Sequence, residues 1–190
     1  MRRLRDRCRI HVGNLGRRRR LGALTAAVPI LPILQLGDPI LRQPAIEVRR
    51  FDRTLGHLLD DLTETMHDAP GVGLAANQVG RPERVCVIEI EGRHMELVNP
   101  VLVRVDGTQT DLEGCLSIHG FYGSTTRADH AVVTARDRQG RPVRVSGRGF
   151  LARALQHELD HLDGKLYVDR MESIDDLQRV GDDGELEDPA

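Results

Sequence analysis

Residues 156–164 read Gln156-His157-Glu158-Leu159-Asp160-His161-Leu162-Asp163-Gly164. On a helix His157 and His161 fall at i and i+4, one turn apart on one face. Such a pair can offer two imidazole nitrogens to one metal ion, and Glu158 beside them can handle a proton. The same spacing fits a helix with two buried, hydrogen-bonded histidines. A catalytic zinc-type centre needs three protein ligands and one open position, so the motif asks for a third donor. Cys115, in Glu113-Gly114-Cys115-Leu116-Ser117, is one candidate, because a thiolate is a strong ligand for a transition metal. A buried core thiol is the alternative reading of Cys115, and His119 competes for the same role. A further stretch, Gly71-Val72-Gly73-Leu74-Ala75-Ala76-Asn77-Gln78, has two glycines that let the backbone bend and another chain approach closely. No Lys-Ser/Thr pair follows it, so it is not a phosphate-binding loop. Its plain alternative is a tight helix-to-strand connection.

These residues need elements to hold them. Leu151, Leu155, Leu159 and Leu162 form one stripe at helical spacing, and Phe150, Ala154, His157 and His161 form a second. Gly164 then stops the helix. Asp52 is a candidate N-cap for an earlier helix, in which Leu55, Leu58, Leu59, Leu62 and Met66 share a face as far as Pro70-Gly71. Residues 84–90 read as a strand rich in β-branched side chains. Residues 95–98 and 101–105 read as two more strands, parted by Asn99-Pro100. Residues 131–136 and 142–146 suggest a hairpin across Asp137-Arg138-Gln139-Gly140. Residues 172–190 are acidic and rich in turn formers, which suggests a short helix and a loose tail. The pattern of helix, strands and helix predicts an α+β domain.

The chain has 190 residues, with 39 % hydrophobic and 29 % charged. That length suggests one domain able to bury a sizeable core. No apolar run approaches the ~18 residues of a membrane span; residues 21–36 are fairly apolar, but Pro29 and Pro32 break them. Three cysteines (Cys8, Cys86 and Cys115) give no paired framework and fit a reducing compartment such as the cytoplasm. Charge is uneven. Residues 1–20 hold nine Arg and one Asp, a formal +8; the whole chain carries −2, which leaves −10 for the rest. Such a basic arm suits a disordered extension, contact with RNA or a membrane surface, or a transit segment.

Three stretches together resemble the peptide deformylase family: residues 71–78, 113–117 and 156–162 occur in its order and at its spacing. The flanks are similar too, in Gly37-Asp38-Pro39-Ile40-Leu41-Arg42, Val98-Asn99-Pro100, Arg127-Ala128-Asp129 and Gly164-Lys165-Leu166-Tyr167. The resemblance covers roughly residues 30–172. It implies antiparallel β-sheets packed around a central helix that carries the metal-binding motif. It also implies a catalytic domain over residues 29–172, which leaves the basic, disordered extension read from charge over 1–28 and the acidic tail over 173–190 outside it. The implied activity is removal of the formyl group from the N-terminal formyl-Met of new polypeptides, releasing formate, with transient ribosome contact and no membrane partner. By resemblance Cys115, His157 and His161 ligate one divalent metal, Fe(II) first, with Ni, Co or Zn also able to occupy the site, and with water in the open position. Glu158 is the general base and acid. The side-chain amide of Gln78 and the backbone N–H of Leu116 form the oxyanion hole. The peptide lies between Gly73 and Gly114, and Val72, Phe150 and Ala154 wall an apolar pocket for the Met side chain; ordinary core packing is the alternative reading of Phe150 and Ala154. Arg153 adds only its alkyl stem there, with its head in water.

His119 stands where the family commonly has Pro, and Asp111-Leu112 where bulkier apolar residues often occur. Those departures bear on peptide preference. Glu113 and Arg127 suggest an ion pair, and Asp160 suggests either an orienter of a ligand imidazole or a solvated carboxylate. Two rival functions are a zinc peptidase and a metal-stabilised ribosome-binding module without activity. The first leaves the glycine-rich stretch and the Cys unexplained. Against the second, the three ligands, Glu158 and Gln78 are all present. Deleting residues 1–28 is expected to leave turnover of a short formyl-Met peptide nearly unchanged while weakening RNA or ribosome association in a salt-dependent way. A large loss on the small substrate would show that the arm belongs to the fold.

Overall fold

A computed structural model describes residues 28–180 and 186–187. The basic extension, apart from Val28, therefore lies outside the described residues. Two helices and nine strands are described: α1 (Arg53–Asp68), β1 (Gly73–Ala75), β2 (Val85–Ile90), β3 (Arg93–Asp106), β4 (Gln109–Cys115), β5 (Ile118–Arg127), β6 (His130–Arg136), β7 (Pro142–Arg148), α2 (Gly149–Leu162), β8 (Gln178–Val180) and β9 (Leu186–Glu187). They make a five-stranded sheet in the order β1-β2-β3-β6-β7 and a four-stranded sheet in the order β4-β5-β8-β9. All the ladder pairs are antiparallel. The fold is thus α+β, as expected. Among the described residues no helix is long and apolar enough to cross a membrane.

The helices cover opposite faces of the five-stranded sheet. Asp52 accepts from the N–H groups of Thr54 and Leu55 and so caps α1, satisfying donors that have no intrahelical partner. Leu55, Leu58, Leu59, Leu62 and Met66 then pack on Leu74, Val85, Val87 and Val98. On the other face Ala154, Leu155, Leu159 and Leu162 of α2 pack on Ala75, Cys86, Ile88, Leu97 and Val133. Alternate residues of β2 point to opposite faces, so Val85 and Val87 meet α1 while Cys86 and Ile88 meet α2. Burial on both faces explains why Val85 to Ile88 form a continuous apolar run. The other side of α2 is polar and is tied to β4 and β5 by ion pairs and hydrogen bonds.

Three local expectations change. Residues 95–98 and 101–105 belong to one strand, β3. Asn99 takes the break at φ 52°, a left-handed conformation that Asn tolerates better than most residues. Its side chain is clamped to residue 48, accepting from Val48 N and donating to Val48 O, each at 2.8 Å. β4 and β5 were not anticipated as strands. Their polar, glycine-bearing sequences lack clean alternation, and tertiary ion pairs hold them. In the acidic C-terminal stretch, Ile174–Asp176 makes a short 3-10 turn and β8 pairs with β5, placing Arg179 opposite Phe121.

Candidate active site

Three segments meet at the polar side of α2. The helix supplies His157, Glu158 and His161 one turn apart. β4 ends at Cys115, and the register breaks between Gly114 and Cys115 before the chain turns into β5. β1 leads into a 3-10 turn, Ala76–Val79, that carries Gln78. The Cys115 Sγ lies 3.2 Å from His161 Nε2, which lies 3.2 Å from His157 Nε2. The three donor atoms fall within 4.8 Å of one another. A tetrahedral ion with nitrogen ligands at ~2.0–2.1 Å separates them by roughly 3.3 Å, so this soft thiolate and two imidazoles fit one transition-metal ion. His119 is exposed and stands outside the cluster.

Glu158 is 4 % exposed, and its Oε2 has no hydrogen-bond partner. Burial pushes its carboxyl up to about 7, partly offset by the nearby charges of His157 and Arg127. Its Oε1 occupies the space a side chain on Gly73 would need. Gly73 is therefore required to make room for this carboxylate, a reason the sequence alone did not suggest. Gly114 likewise leaves space for the Tyr122 ring, which a Cβ would approach to 2.6 Å. Gln78 is held at both ends. Its Oε1 accepts from Ala75 N at 2.8 Å, while Nε2 donates to Ser117 Oγ at 3.1 Å and to Cys115 Sγ at 3.6 Å. The carbonyl of Leu116 accepts from Gln35 Nε2 at 3.0 Å, which ties the Cys115 turn to the N-terminal segment.

Behind the cluster lies a buried ionic network centred on Glu113. Its Oε2 accepts from His157 Nδ1 at 3.0 Å and from Arg127 Nη2 at 2.8 Å. Its Oε1 accepts from Arg153 Nη1 at 2.7 Å and from Arg127 Nε. Burial works against this carboxylate, but hydrogen bonds from His157 and Arg127 hold its pKa well below the ordinary range. Burial likewise opposes a charge on His157, yet Cys115 and Glu113 raise its pKa to about 10. Burial, aided by the charge of His157, lowers that of His161.

Two sequence expectations are corrected here. Arg153 does not place its head in water: it is 3 % exposed and donates to Glu113 and to Thr125 Oγ1. Asp160 touches neither imidazole. It accepts from Arg127 Nη1 at 2.8 Å and from Arg170 Nη2 at 2.6 Å. The imidazole partner is Glu113, two residues before Cys115 on β4. That spacing was the available signal.

The cluster opens into a cavity of ≈ 900 Å³ lined by Val72, Gly73, Leu112, Gly114, Leu116, Phe121, Phe150, Ala154 and Arg179 among others. Phe150 is 57 % exposed and Val72 42 %, so neither is ordinary core, while Ala154 is buried. Arg179, from β8, was not anticipated as part of this wall.

The polypeptide deformylase family profile matches residues 30–176. A peptide deformylase of Heliobacterium modesticaldum is 49 % identical over 144 residues, covering 76 % of this chain and 95 % of that protein. Peptide deformylase 1 of Bacillus subtilis is 50 % identical over 135 residues, covering 70 % and 84 %. Among solved structures, a peptide deformylase from Legionella pneumophila superposes with a TM-score of 0.75 at 44 % identity, covering 77 % of this chain and 88 % of that one. One from Synechococcus elongatus, in complex with actinonin, gives 0.75 at 44 %, covering 77 % and 81 %. With three quarters of its length matched at this identity, the chain belongs to the polypeptide deformylase family.

Proposed function

We infer that Cys115, His157 and His161 hold one divalent metal ion on α2, the central helix of the domain. Around that ion Glu158, Gln78 and Leu116 carry out the family's reaction, removal of the formyl group from the N-terminal formyl-Met of new polypeptides. The observation that carries this reading is the convergence of three donor atoms beside a buried, unpartnered carboxylate at the head of the cavity. The thiolate and imidazole donors suit Fe(II), Ni, Co or Zn, with Fe(II) the family's usual choice. When bound, the ion supplies Lewis-acid chemistry, polarising the formyl carbonyl and bringing the pKa of water toward neutrality.

The chain's own residues do the rest. The free edge of β1 faces substrate on one side and that of β4 on the other, so an extended peptide pairs between them as an added strand. Val72, Leu112, Phe150 and Ala154 offer the Met side chain an apolar wall, which accounts for the exposure of Val72 and Phe150. Glu158, with a pKa near neutrality, takes the proton from the attacking water and gives it to the departing amine. Gln78 Nε2 and the Leu116 N–H donate to the carbonyl oxygen as it becomes negative. Ser117 and Ala75 keep the Gln78 amide oriented. The domain organised around this site spans residues 29–172, acts in the cytoplasm and meets its substrates at the ribosome.

The test is formate release from a formyl-Met peptide that is otherwise recovered intact. Two peptide fragments and no formate would mean a peptidase instead. Gln78→Leu is expected to retain the metal and lose roughly 10²–10³ in kcat, as for removal of one oxyanion donor. An unchanged kcat would take Gln78 out of the oxyanion site.

A further inference from the structure

Among the described residues, four buried side-chain polar atoms lack a hydrogen-bond partner: Asn77 Oδ1, Arg153 Nη2, Glu158 Oε2 and His161 Nδ1. Native proteins leave few such atoms, and each needs a reason. Proton transfer accounts for Glu158. Two of the others belong to residues already in contact, because Asn77 Nδ2 donates to the backbone carbonyl of His161 at 2.5 Å. Both residues are 1 % exposed.

Their unmatched atoms are complementary. His161 turns Nε2 to the donor cluster, 3.2 Å from both Cys115 Sγ and His157 Nε2. An imidazole that ligates through Nε2 carries its proton on Nδ1 and must donate it. Its neighbour His157 does so to Glu113, and His161 has no equivalent carboxylate. The orientation of Asn77 is fixed because the His161 carbonyl can only accept, so the atom facing it is Nδ2. Oδ1 is then the atom left over, an acceptor without a donor, on a residue that contacts His161, whose Nδ1 is a donor without an acceptor.

We propose that Asn77 is a positioning residue for the metal site: its Oδ1 takes the Nδ1 proton of His161 across one buried water. The inference rests on the three-ligand reading above. One 3-10 turn, Ala76–Val79, then carries both an oxyanion donor, Gln78, and the group that fixes a ligand tautomer, Asn77. The two ligand histidines are oriented by different chemistry, a carboxylate for His157 and a neutral amide for His161. Ligand charge is thereby kept lower on the His161 side.

The experiment uses the full chain loaded with zinc, with retention measured by chelator competition and the imidazole protons followed by nitrogen-15 NMR. Wild type is expected to show a slowly exchanging proton on His161 Nδ1. Asn77→Leu is expected to weaken zinc retention by about 10–100-fold, the usual effect of removing a group that orients a metal ligand, and to speed exchange of that proton. Asn77→Asp keeps an acceptor oxygen and lacks the amide N–H, so it should restore both properties. A folded Leu variant with unchanged retention and exchange overturns the inference. So does a folded Asp variant that loses zinc as the Leu variant does, and if the Leu variant fails to fold, the Asp variant decides on its own retention and exchange. A wild-type chain that takes up no zinc, iron, nickel or cobalt overturns the three-ligand reading itself, a distinct result.

Discussion

Glu158→Gln is expected to keep a stoichiometric metal ion and to lose at least about 10²–10⁴ in kcat, the usual contribution of one general acid–base. Glutamine preserves the volume and the cavity wall but cannot accept a proton. The surroundings of Glu158 favour the proposed proton exchange near neutral pH. The carboxyl is buried, its pKa is pushed up to about 7, and Oε2 is left without a competing partner. Gly73 gives it room, and any larger residue there would displace it. His157→Ala contrasts with this variant. It removes a proposed ligand, so metal, activity and some stability should fall together. Elemental analysis and formate release from a formyl-Met peptide separate the two outcomes. Deformylation by Glu158→Gln near the wild-type rate, with the ion bound, would mean that another group moves the proton.

The parts of this molecule that were legible in the sequence are those whose signal is local. α1 declared itself through Asp52 and the stripe from Leu55 to Met66, because an N-cap and a 3.6-residue period arise within one element. α2 did so for the same reason, and the i, i+4 spacing of His157 and His161 survives folding unchanged. β2 was legible because both of its faces are covered and its first four residues, Val85 to Ile88, are apolar. What stayed hidden depends on pairing between distant segments. β4 and β5 carry little alternation of their own. Their strands are fixed by pairing with each other and by Arg127, Glu113 and Arg153 meeting across three elements. Arg153 was misjudged because a lone arginine on an apolar helix face ordinarily reaches for solvent. Only the fold reveals that Glu113 waits for it in the interior. Asp160 was misassigned for the same reason: its true partners, Arg127 and Arg170, come from β5 and from the segment after α2.

Glu113→Gln is expected to destabilise the domain by roughly 3–5 kcal/mol, the usual cost of leaving buried charge unpaired. Glu113 is the only carboxylate that reaches Arg153 among the described ion pairs, and it shares Arg127 with Asp160. Both guanidiniums and Glu113 itself are nearly inaccessible to water, at 3–4 % side-chain exposure. Screening by solvent therefore offers little relief. Glutamine keeps one acceptor oxygen but no charge, so Arg153 is left with neutral partners only, the amide, Thr125 and backbone oxygens. With the amide oxygen held by Arg153 and Arg127 Nε, the amide NH2 faces His157 Nδ1, which loses its acceptor, so metal retention should fall by about 10–100-fold. The melting temperature should drop on the order of 10 °C for a domain of this size. The pH dependence gives an independent check. A carboxylate whose folded pKa lies below its unfolded value near 4.3 contributes stability that is complete above that value and is lost as pH falls through the folded one. The wild-type chain should thus lose stability as pH drops below about 4.3, and Glu113→Gln should show a shallower decline over the same range. Thermal unfolding of both proteins from pH 3 to 7, with and without metal, makes the comparison. Equal melting temperatures and equal metal retention would show that the buried arginines are neutralised by something other than Glu113.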